Sequence, residues 1–378
     1  MAELPLDEVL VLDVDFDEAN AGVTSIRIHQ APSLVTDTNS SVVATLSNHL
    51  FLSVRPDWRD STSLLGYYNP LSSSYEWTDF LRFILQAADN YKGPEEDRIA
   101  WFVILDEMNL AHVEYYFADL LSVIESGRDA DGWTGEPLRF TYPETLEDDE
   151  VPPREVKLPP NLYLIGTVNM DETTHAFSPK VLDRAFTIEL TDVTFENYPP
   201  TASDPDNAGA LGDDQKRALL QRFSRNGEFA RIDKAQIATF VNGNPEVRQW
   251  LQTLNTRLAT YRLHFGYRVF DEIVQYLANN EGDAGVPLQD AFDQAVLMKV
   301  LPKFTGSRAR LEDPLRDVLL WAIDPGEVDL PGNTELLGHW NAGAAIGGVL
   351  QASSLHRTAK RVAEMLTALD RDGFVSFG

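Results

Sequence analysis

The sequence predicts an α/β domain of three layers around a parallel sheet, followed by an all-α domain. In the first half of the chain, apolar runs of strand length alternate with segments of helical periodicity. The apolar runs are nearly continuous, which is typical of parallel strands covered on both faces. In the second half the periodicity is helical throughout. Together these observations indicate two domains, only the first of which contains a sheet.

The elements of the first half follow from where the apolar runs begin and end. A strand is predicted at 51–54, before Arg55-Pro56, and buried strands are predicted at three further runs, 99–105, 162–166 and 186–190. Helices are predicted between them at 77–90, 113–124 and 178–184, the last with a proline in its first turn. Residues 143–160 are rich in proline and acid, which favours a loop or hairpin outside the core.

Changes in composition suggest where the domains divide. We expect an unassigned segment at 1–45, an α/β core at 46–192, a linker or exposed insertion at 193–215 and a helical domain at 216–378. Helical periodicity in the last part predicts helices at 214–223, 245–262, 267–280, 288–303, 308–322 and 354–371.

The charge balance restricts the function classes. With 59 acidic and 31 basic residues the net charge is −28, so direct non-specific contact with nucleic-acid phosphates is not expected. Only eight of the basic residues are lysine, and an acidic, lysine-poor surface favours a halophilic source, in which salt screens self-repulsion. Full stability in about 0.1 M KCl would contradict that hypothesis.

The compartment is predicted from what the sequence does not contain. There is no apolar run long enough for a membrane span and no signal-peptide pattern, so the expectation is a cytoplasmic protein without a membrane partner. The absence of cysteine excludes disulfides and zinc sites made of thiolates.

Two adjacent carboxylates, Asp106 and Glu107, end the run at 99–105. Phosphoryl transfer needs one carboxylate for the Mg²⁺ shell and another to orient the attacking water. Ligands of open α/β sheets also bind at the carboxyl ends of the strands. The alternative is structural: Asp106 could cap a helix that begins nearby.

Two further polar residues stand at the ends of predicted elements. Asn169 follows the strand at 162–166, where its amide could bond the γ-phosphate and the attacking water; an ordinary turn is the alternative. Arg184 ends the short helix before 186–190, where it could project from the subunit edge and reach a neighbour's nucleotide. A surface pair with Asp183, worth at most about 1 kcal/mol, is the alternative there.

Longer stretches of the sequence carry a family resemblance. They are VRPDWRDSTSLLGYYNP (54–70), WFVILDEMNLAHVEYYFADLLSVIE (101–125) and LYLIGTVNMDETTHAFSPKVLDRAFTIEL (162–190). In combination they resemble the McrB-like branch of the AAA+ ATPases, the motor subunits of modification-dependent restriction systems within the dynein-related AAA group. HFGYRVFDEIVQYL (264–277), VLPKFTGSR (300–308) and HRTAKRVAEML (356–366) resemble the helical lid of that branch. The resemblance covers about residues 51–378.

The resemblance implies an AAA+ domain with a lid that binds and hydrolyses ATP with Mg²⁺, self-associates into a ring, expected to be a hexamer, and works with a McrC-like endonuclease subunit. DNA would then be engaged only indirectly. It also implies roles for single residues: Asp106 as the Walker B residue holding Mg²⁺ through water, Glu107 as the water-activating base, Asn169 as sensor one and Arg184 as the trans-acting arginine finger. Asn109, the asparagine that follows Asp-Glu, and Arg268, a sensor-two arginine on the lid, are expected to bind the nucleotide with Asp106.

Two departures from the family pattern bear on function. GTP-using members carry Met-Asn-Thr-Ala-Asp-Arg at sensor one, whereas this chain has Val-Asn-Met-Asp-Glu-Thr, so ATP is favoured over GTP. A P-loop, Gly-x-x-x-x-Gly-Lys-Ser/Thr, is absent from the 378 residues, and the first lysine is Lys92. Three explanations remain open: a phosphate-binding segment encoded upstream, a subunit that assembles without hydrolysing nucleotide, or a misleading resemblance.

Overall fold

The protein is mixed α/β with a three-stranded parallel sheet. The computed structural model describes residues 8–17, 22–32, 48–146, 150–169, 175–190, 223–225, 227, 229, 234–280, 285–325 and 353–375. The chain divides into two compact units. The first contains residues 1–184 and 190–231, and the second contains 185–189 and 232–378. The predicted linker at 193–215 lies outside the described residues.

The first unit holds the parallel sheet and three two-stranded hairpins. Its elements are β1 (Glu8–Asp17), β2 (Gly22–Pro32), β3 (His49–Ser53), α1 (Thr62–Leu65), β4 (Tyr67–Asn69), β5 (Ser74–Glu76), α2 (Asp79–Lys92), β6 (Trp101–Asp106), α3 (Val113–Tyr116), α4 (Ala118–Glu125), β7 (Leu138–Arg139), β8 (Glu155–Val156), β9 (Leu162–Gly166) and α5 (Pro179–Leu182). The strand order of the parallel sheet is β3-β6-β9, so β6 is central. Within the predicted 143–160 region, β8 pairs with β7 as a hairpin, but the expectation that the region lies outside the core is wrong, because Val151, Val156 and Leu158 are buried in the core of the first unit.

Helices cover one face of this sheet. Alternate residues of β6, Trp101, Val103 and Leu105, point to that face and are fully buried in one core with α2, α3 and α4. The ring of Phe83 on α2 meets Trp101 edge-on at 5.0 Å. We call this the first face. Since α2 connects β3 to β6, and α3 and α4 connect β6 to β9, both crossovers run over the first face.

The second face of the sheet carries the residues in between. Phe102 pairs in register with Tyr163, and their rings stack at 5.4 Å. Phe229 packs in the same small cluster. Phe51 of β3 lies on this face, in register with Ile104, and is 56% exposed. Among the described residues, the second face is therefore less completely covered than the first.

The second unit is a bundle of helices with one short antiparallel pair of strands, which lie before and after its last two described helices. Its elements are α6 (Lys234–Gly243), α7 (Pro245–Ala259), α8 (Tyr267–Asn279), α9 (Leu288–Lys299), β10 (Gly306–Ser307), α10 (Arg308–Ile323), α11 (His356–Asp372) and β11 (Phe374–Val375). Their apolar faces form one core. Most bounds agree closely with the predicted helices, whereas α6 was not predicted. Among the described helices, none is long and apolar enough to cross a membrane.

The prediction of a buried strand at 186–190 is wrong. Residues 185–189 belong to the second unit, where the Thr187 amide donates to the Met298 carbonyl at 3.0 Å. Ile188 and Leu190 are 57% and 70% exposed. A local apolar pattern does not determine which element a segment packs against, and no strand pairs with this segment among the described residues. The predicted helix at 113–124 is also divided in two, at Phe117.

Candidate functional site

The carboxyl ends of β6 and β9 lie side by side. Leu105 pairs in register with Gly166, so the residues that follow each strand emerge at the same edge of the sheet. On the other side of β6, the Val54 amide donates to the Asp106 carbonyl at 3.0 Å. Parallel pairing therefore collects the polar residues after β6 and β9 at the edge where ligands of such sheets bind.

Asp106 and Glu107 are both contacted by one hydroxyl. The Oγ1 of Thr167 donates to Asp106 Oδ1 at 2.7 Å and accepts from the Glu107 amide at 3.0 Å. Sequence reasoning did not single out Thr167. The only signal was a hydroxyl residue two positions before Asn169, which an extended backbone places on the same side of the chain.

The backbone at Glu107 is left-handed, with φ 51° and ψ 48°. A residue with a Cβ adopts this conformation at a cost of roughly 1–2 kcal/mol, so neighbouring contacts must hold it. The next amide, of Met108, donates to the Thr167 carbonyl at 2.8 Å. Gly166 lies close to this turn, because a Cβ at that position would lie 2.5 Å from the Met108 sulfur and the Met108 side chain would have to move. The turn after β6 is thus built against the end of β9.

Asn169 reaches the carboxylate of Glu107. Its Nδ2 donates to Glu107 Oε1 at 3.2 Å, which unites the residues predicted to orient the attacking water. The structure thus brings Asp106, Glu107 and Asn169 together, although Glu107 and Asn169 are 62 residues apart in the chain. Pairing of β6 with β9 produces this contact, because the two strands end side by side at the same edge of the sheet.

Asn109 lies behind this site. It was expected to contact the nucleotide, but its side chain is fully buried and its Nδ2 donates to the Asn169 carbonyl at 3.0 Å. In this conformation the side chain faces the interior, and a role of Asn109 in nucleotide binding stays a prediction. Asn109 holds the backbone of the residue that contacts Glu107.

A pair of imidazoles borders the same loop. The rings of His112 and His175 stack at 3.7 Å with 26° between their planes. The His175 amide donates to the Asn109 carbonyl at 3.0 Å. Nearby, Glu114 Oε1 accepts from the Ser178 amide at 2.9 Å. Burial raises the pKa of Glu114, but hydrogen bonds to its carboxylate and the nearby His112 together outweigh that effect, so the net pKa is lowered.

Arg184 is folded against its own unit. Its side chain is only 9% exposed, and its Nε donates to the Leu121 carbonyl at 3.1 Å. The guanidinium also contacts the Lys180 carbonyl and forms an ion pair with Glu125. The expectation that Arg184 projects from the surface is therefore corrected: in this conformation it ties α5 to the end of α4.

Arg268 lies in the second unit, on α8. Its Nε is 4.0 Å from Glu272 Oε1, one helical turn further along. Glu272 also forms an ion pair with the buried Lys299. These contacts place Arg268 beside a charged cluster of the helical unit.

The residues present fit a magnesium ion bound mainly through water. Mg²⁺ commonly binds proteins through one or two carboxylates together with substrate phosphates. Asp106 would supply one such carboxylate, Glu107 lies beside it as the base, and both are only partly exposed. No group of three or more His, Asp or Glu side chains in the described part of the chain could hold a metal without such added ligands.

A cavity of about 280 Å³ lies away from this edge of the sheet. It is lined by Tyr91, Lys92, Arg98, Asp131 and Trp133. Arg98 leads into the amino end of β6 and stacks on the Tyr91 ring at 4.5 Å. The cavity contains none of the residues predicted to handle Mg²⁺ and water.

Comparison with known proteins gives little about function. Residues 224–374 match a family described as a domain of unknown function (DUF8727), which is 151 of the 378 residues and falls mainly in the helical unit. No curated protein matches the chain. Any function must therefore be argued from the site itself.

Proposed function

We propose that the carboxyl edge of the sheet is the magnesium- and water-handling part of an ATPase site of McrB-like AAA+ type, with the helical unit as its lid. The observation that carries the proposal is the contact of Asn169 with Glu107 beside Asp106, at the ends of two adjacent parallel strands. Asp106 would hold Mg²⁺ through water, and Glu107 would take the proton of the attacking water while Asn169 orients it.

Such a site also needs a loop that holds the phosphates, and the 378 residues contain no Gly-x-x-x-x-Gly-Lys-Ser/Thr. We therefore propose that a separate strand–loop–helix segment supplies it. Asn169 follows β9, and strands are about 4.8 Å apart. A strand beyond β9 would thus end closer to Asn169 than a strand beyond β3.

The handedness of the connections favours the same edge. Crossovers between parallel strands are right-handed in about 98% of cases. The two crossovers of this sheet progress from β3 toward β9 over the first face. If a strand beyond β9 preceded β3 in the chain, its connection to β3 would run across the sheet in the opposite direction. A right-handed connection in that direction places its helix on the second face, where Phe51 is exposed. A strand beyond β3 would need its helix on the first face, beside the helices that already cover β6 there.

Calorimetry of Mg·ATP binding in high KCl tests the proposal. We expect binding by a product that includes a phosphate-binding segment and weaker or no binding by residues 1–378 alone. If the longer product binds no nucleotide, or if Asp106→Asn leaves its Mg²⁺ dependence unchanged, the proposal is wrong. ATP is expected over GTP because the sensor-one arginine of GTP-using members is absent.

A second candidate is a ring subunit that binds partners without turning over nucleotide. The observation in its favour is the missing phosphate loop. Assembly into a hexameric ring, a McrC-like endonuclease partner and indirect engagement of DNA remain proposals under both candidates. A ring that forms and recruits the endonuclease subunit while Glu107→Gln has no effect would favour the second.

The arginine-finger role of Arg184 also remains a proposal. To reach a neighbouring nucleotide, its guanidinium would have to leave the Leu121 carbonyl and the Glu125 carboxylate. Arg268 as sensor two is likewise proposed, and it would have to leave Glu272 to contact a phosphate.

A further inference from the structure

We propose that Thr167 is a positioning residue whose single hydroxyl bonds both Asp106 and Glu107. It determines which oxygen of the Asp106 carboxylate faces the metal, and it holds the backbone turn that presents Glu107, the base. The inference rests on the proposed function for its metal chemistry. Its geometric part stands on the contacts alone.

Thr167 contacts four consecutive residues of the other strand end. Its amide donates to the Leu105 carbonyl at 3.0 Å, and its carbonyl accepts from the Met108 amide at 2.8 Å. Between these two backbone bonds, the hydroxyl bonds Asp106 and Glu107. The two backbone bonds fix where the hydroxyl lies, so it approaches both residues from a defined direction.

A hydroxyl has one proton, which determines how it serves two partners. The ionised Asp106 carboxylate can only accept, so the Thr167 proton goes to Asp106 Oδ1. The Glu107 amide can only donate, so it uses a lone pair of the same oxygen. Because Oδ1 is engaged by the hydroxyl, the geometry assigns Oδ2 of Asp106 to the water shell of Mg²⁺.

The second bond bears on the strained residue. Glu107 has left-handed backbone angles, and the Thr167 hydroxyl holds its amide in that conformation. Asn169, two residues further along the same strand end, holds its carboxylate. Thr167 therefore constrains the backbone amide of Glu107, and Asn169 constrains its carboxylate. Loss of the Thr167 hydroxyl should release the amide.

The alternative is a threonine that only terminates the strand. In that case its removal would lower stability but would not change Asp106 as a ligand or the Glu107 amide selectively. Three variants separate the two. Thr167→Val keeps the shape without the hydroxyl, Thr167→Ser keeps the hydroxyl, and Thr239→Val removes a hydroxyl that bonds the Ala235 carbonyl on α6.

The experiment measures two properties of the folded chain. Amide hydrogen exchange at Glu107, followed by NMR, should be about tenfold faster in Thr167→Val, corresponding to loss of one hydrogen bond. Mn²⁺ serves as the probe for the metal site, and its affinity, measured by electron paramagnetic resonance, should fall about 10- to 100-fold in the same variant. Thr167→Ser and Thr239→Val should match the unmodified chain in both measurements.

The outcomes are distinct. Unchanged exchange at Glu107 in Thr167→Val overturns the positioning of the base. Unchanged Mn²⁺ affinity in that variant, with binding lost in Asp106→Asn, overturns the positioning of the metal ligand, as does an equal loss in Thr167→Ser. Mn²⁺ binding that survives Asp106→Asn overturns the proposed function instead, and the exchange result still decides whether Thr167 holds Glu107.

Discussion

The two units differ in how their charged side chains are buried and paired. In the helical unit, Lys299 is fully buried and pairs with Glu272, and its Nζ also donates to the Ala185 carbonyl at 3.0 Å. Burial lowers the pKa of Lys299 despite the nearby Glu272. In the α/β unit, Asp106 and Glu107 are partly exposed, and the contacts around them come from a hydroxyl and an amide.

Asp293 extends the pattern of the helical unit. Its two carboxylate oxygens accept from the Arg357 and Thr358 amides at 2.8 and 2.9 Å, so it caps α11 from another helix. Burial raises the pKa of Asp293, and these hydrogen bonds offset only part of that effect. The paired, buried charges of the helical unit thus connect its helices, whereas the partly exposed carboxylates of the α/β unit lie beside a left-handed backbone of the kind that clusters at functional sites.

The largest expected effect is on turnover. In an assembled preparation that hydrolyses ATP, Glu107→Gln should reduce the rate at least about 100-fold, because the amide cannot accept the proton of the attacking water. Binding of Mg·ATP should be retained. Glu136→Gln, on a surface residue paired with Arg139, is the matched control and should leave the rate unchanged. Equal rates in both variants would refute the assignment of Glu107 as the base.

The next effect is on stability and concerns the helical unit. Lys299→Met should lower the free energy of unfolding by about 3–5 kcal/mol, because it leaves the Glu272 carboxylate without its buried partner. Lys92→Met, which removes an exposed pair with Asp89, should cost less than about 1 kcal/mol. Denaturant unfolding in high KCl measures both. Similar losses in the two variants would contradict the contrast between buried structural charges and exposed ones.

Arg184→Ala distinguishes a structural clamp from a trans-acting finger. As a clamp, Arg184 bonds the Leu121 carbonyl and Glu125, so its loss should lower the free energy of unfolding of the isolated chain by about 1–3 kcal/mol. As a finger, its loss should reduce turnover only where the ring assembles. Thermal unfolding and turnover at several protein concentrations separate the two. Unchanged stability with reduced turnover in the ring would favour the finger.

The smallest effect tests the strain at the site. Glu107→Gly should be more stable than Glu107→Ala by about 1 kcal/mol, because glycine adopts the left-handed conformation without a Cβ. Both variants remove the carboxylate, so their difference isolates the backbone. Thermal unfolding at equal salt provides the measurement, and a less stable glycine variant would indicate that Glu107 is not strained in solution.

Local pattern predicted much of this protein. The apolar run before Asp106, the strand before Asn169 and most helices of the second unit follow from periodicity and from residues that end elements. These signals are local, because burial on one face repeats every two residues in a strand and every 3.6 in a helix. The candidate residues Asp106, Glu107 and Asn169 were found in the same way, as polar side chains at strand ends.

The tertiary structure decided how those pieces meet. Pairing of β6 with β9 brings Thr167 and Asn169 onto residues 106 and 107, and it also buries Asn109 behind them. The segment at 185–189, which its composition predicts to be a buried strand, belongs instead to the helical unit. Apolar periodicity predicts that a side chain is buried, but it does not predict which residues that side chain contacts. Contacts between residues about 60 positions apart are therefore fixed only when the sheet forms.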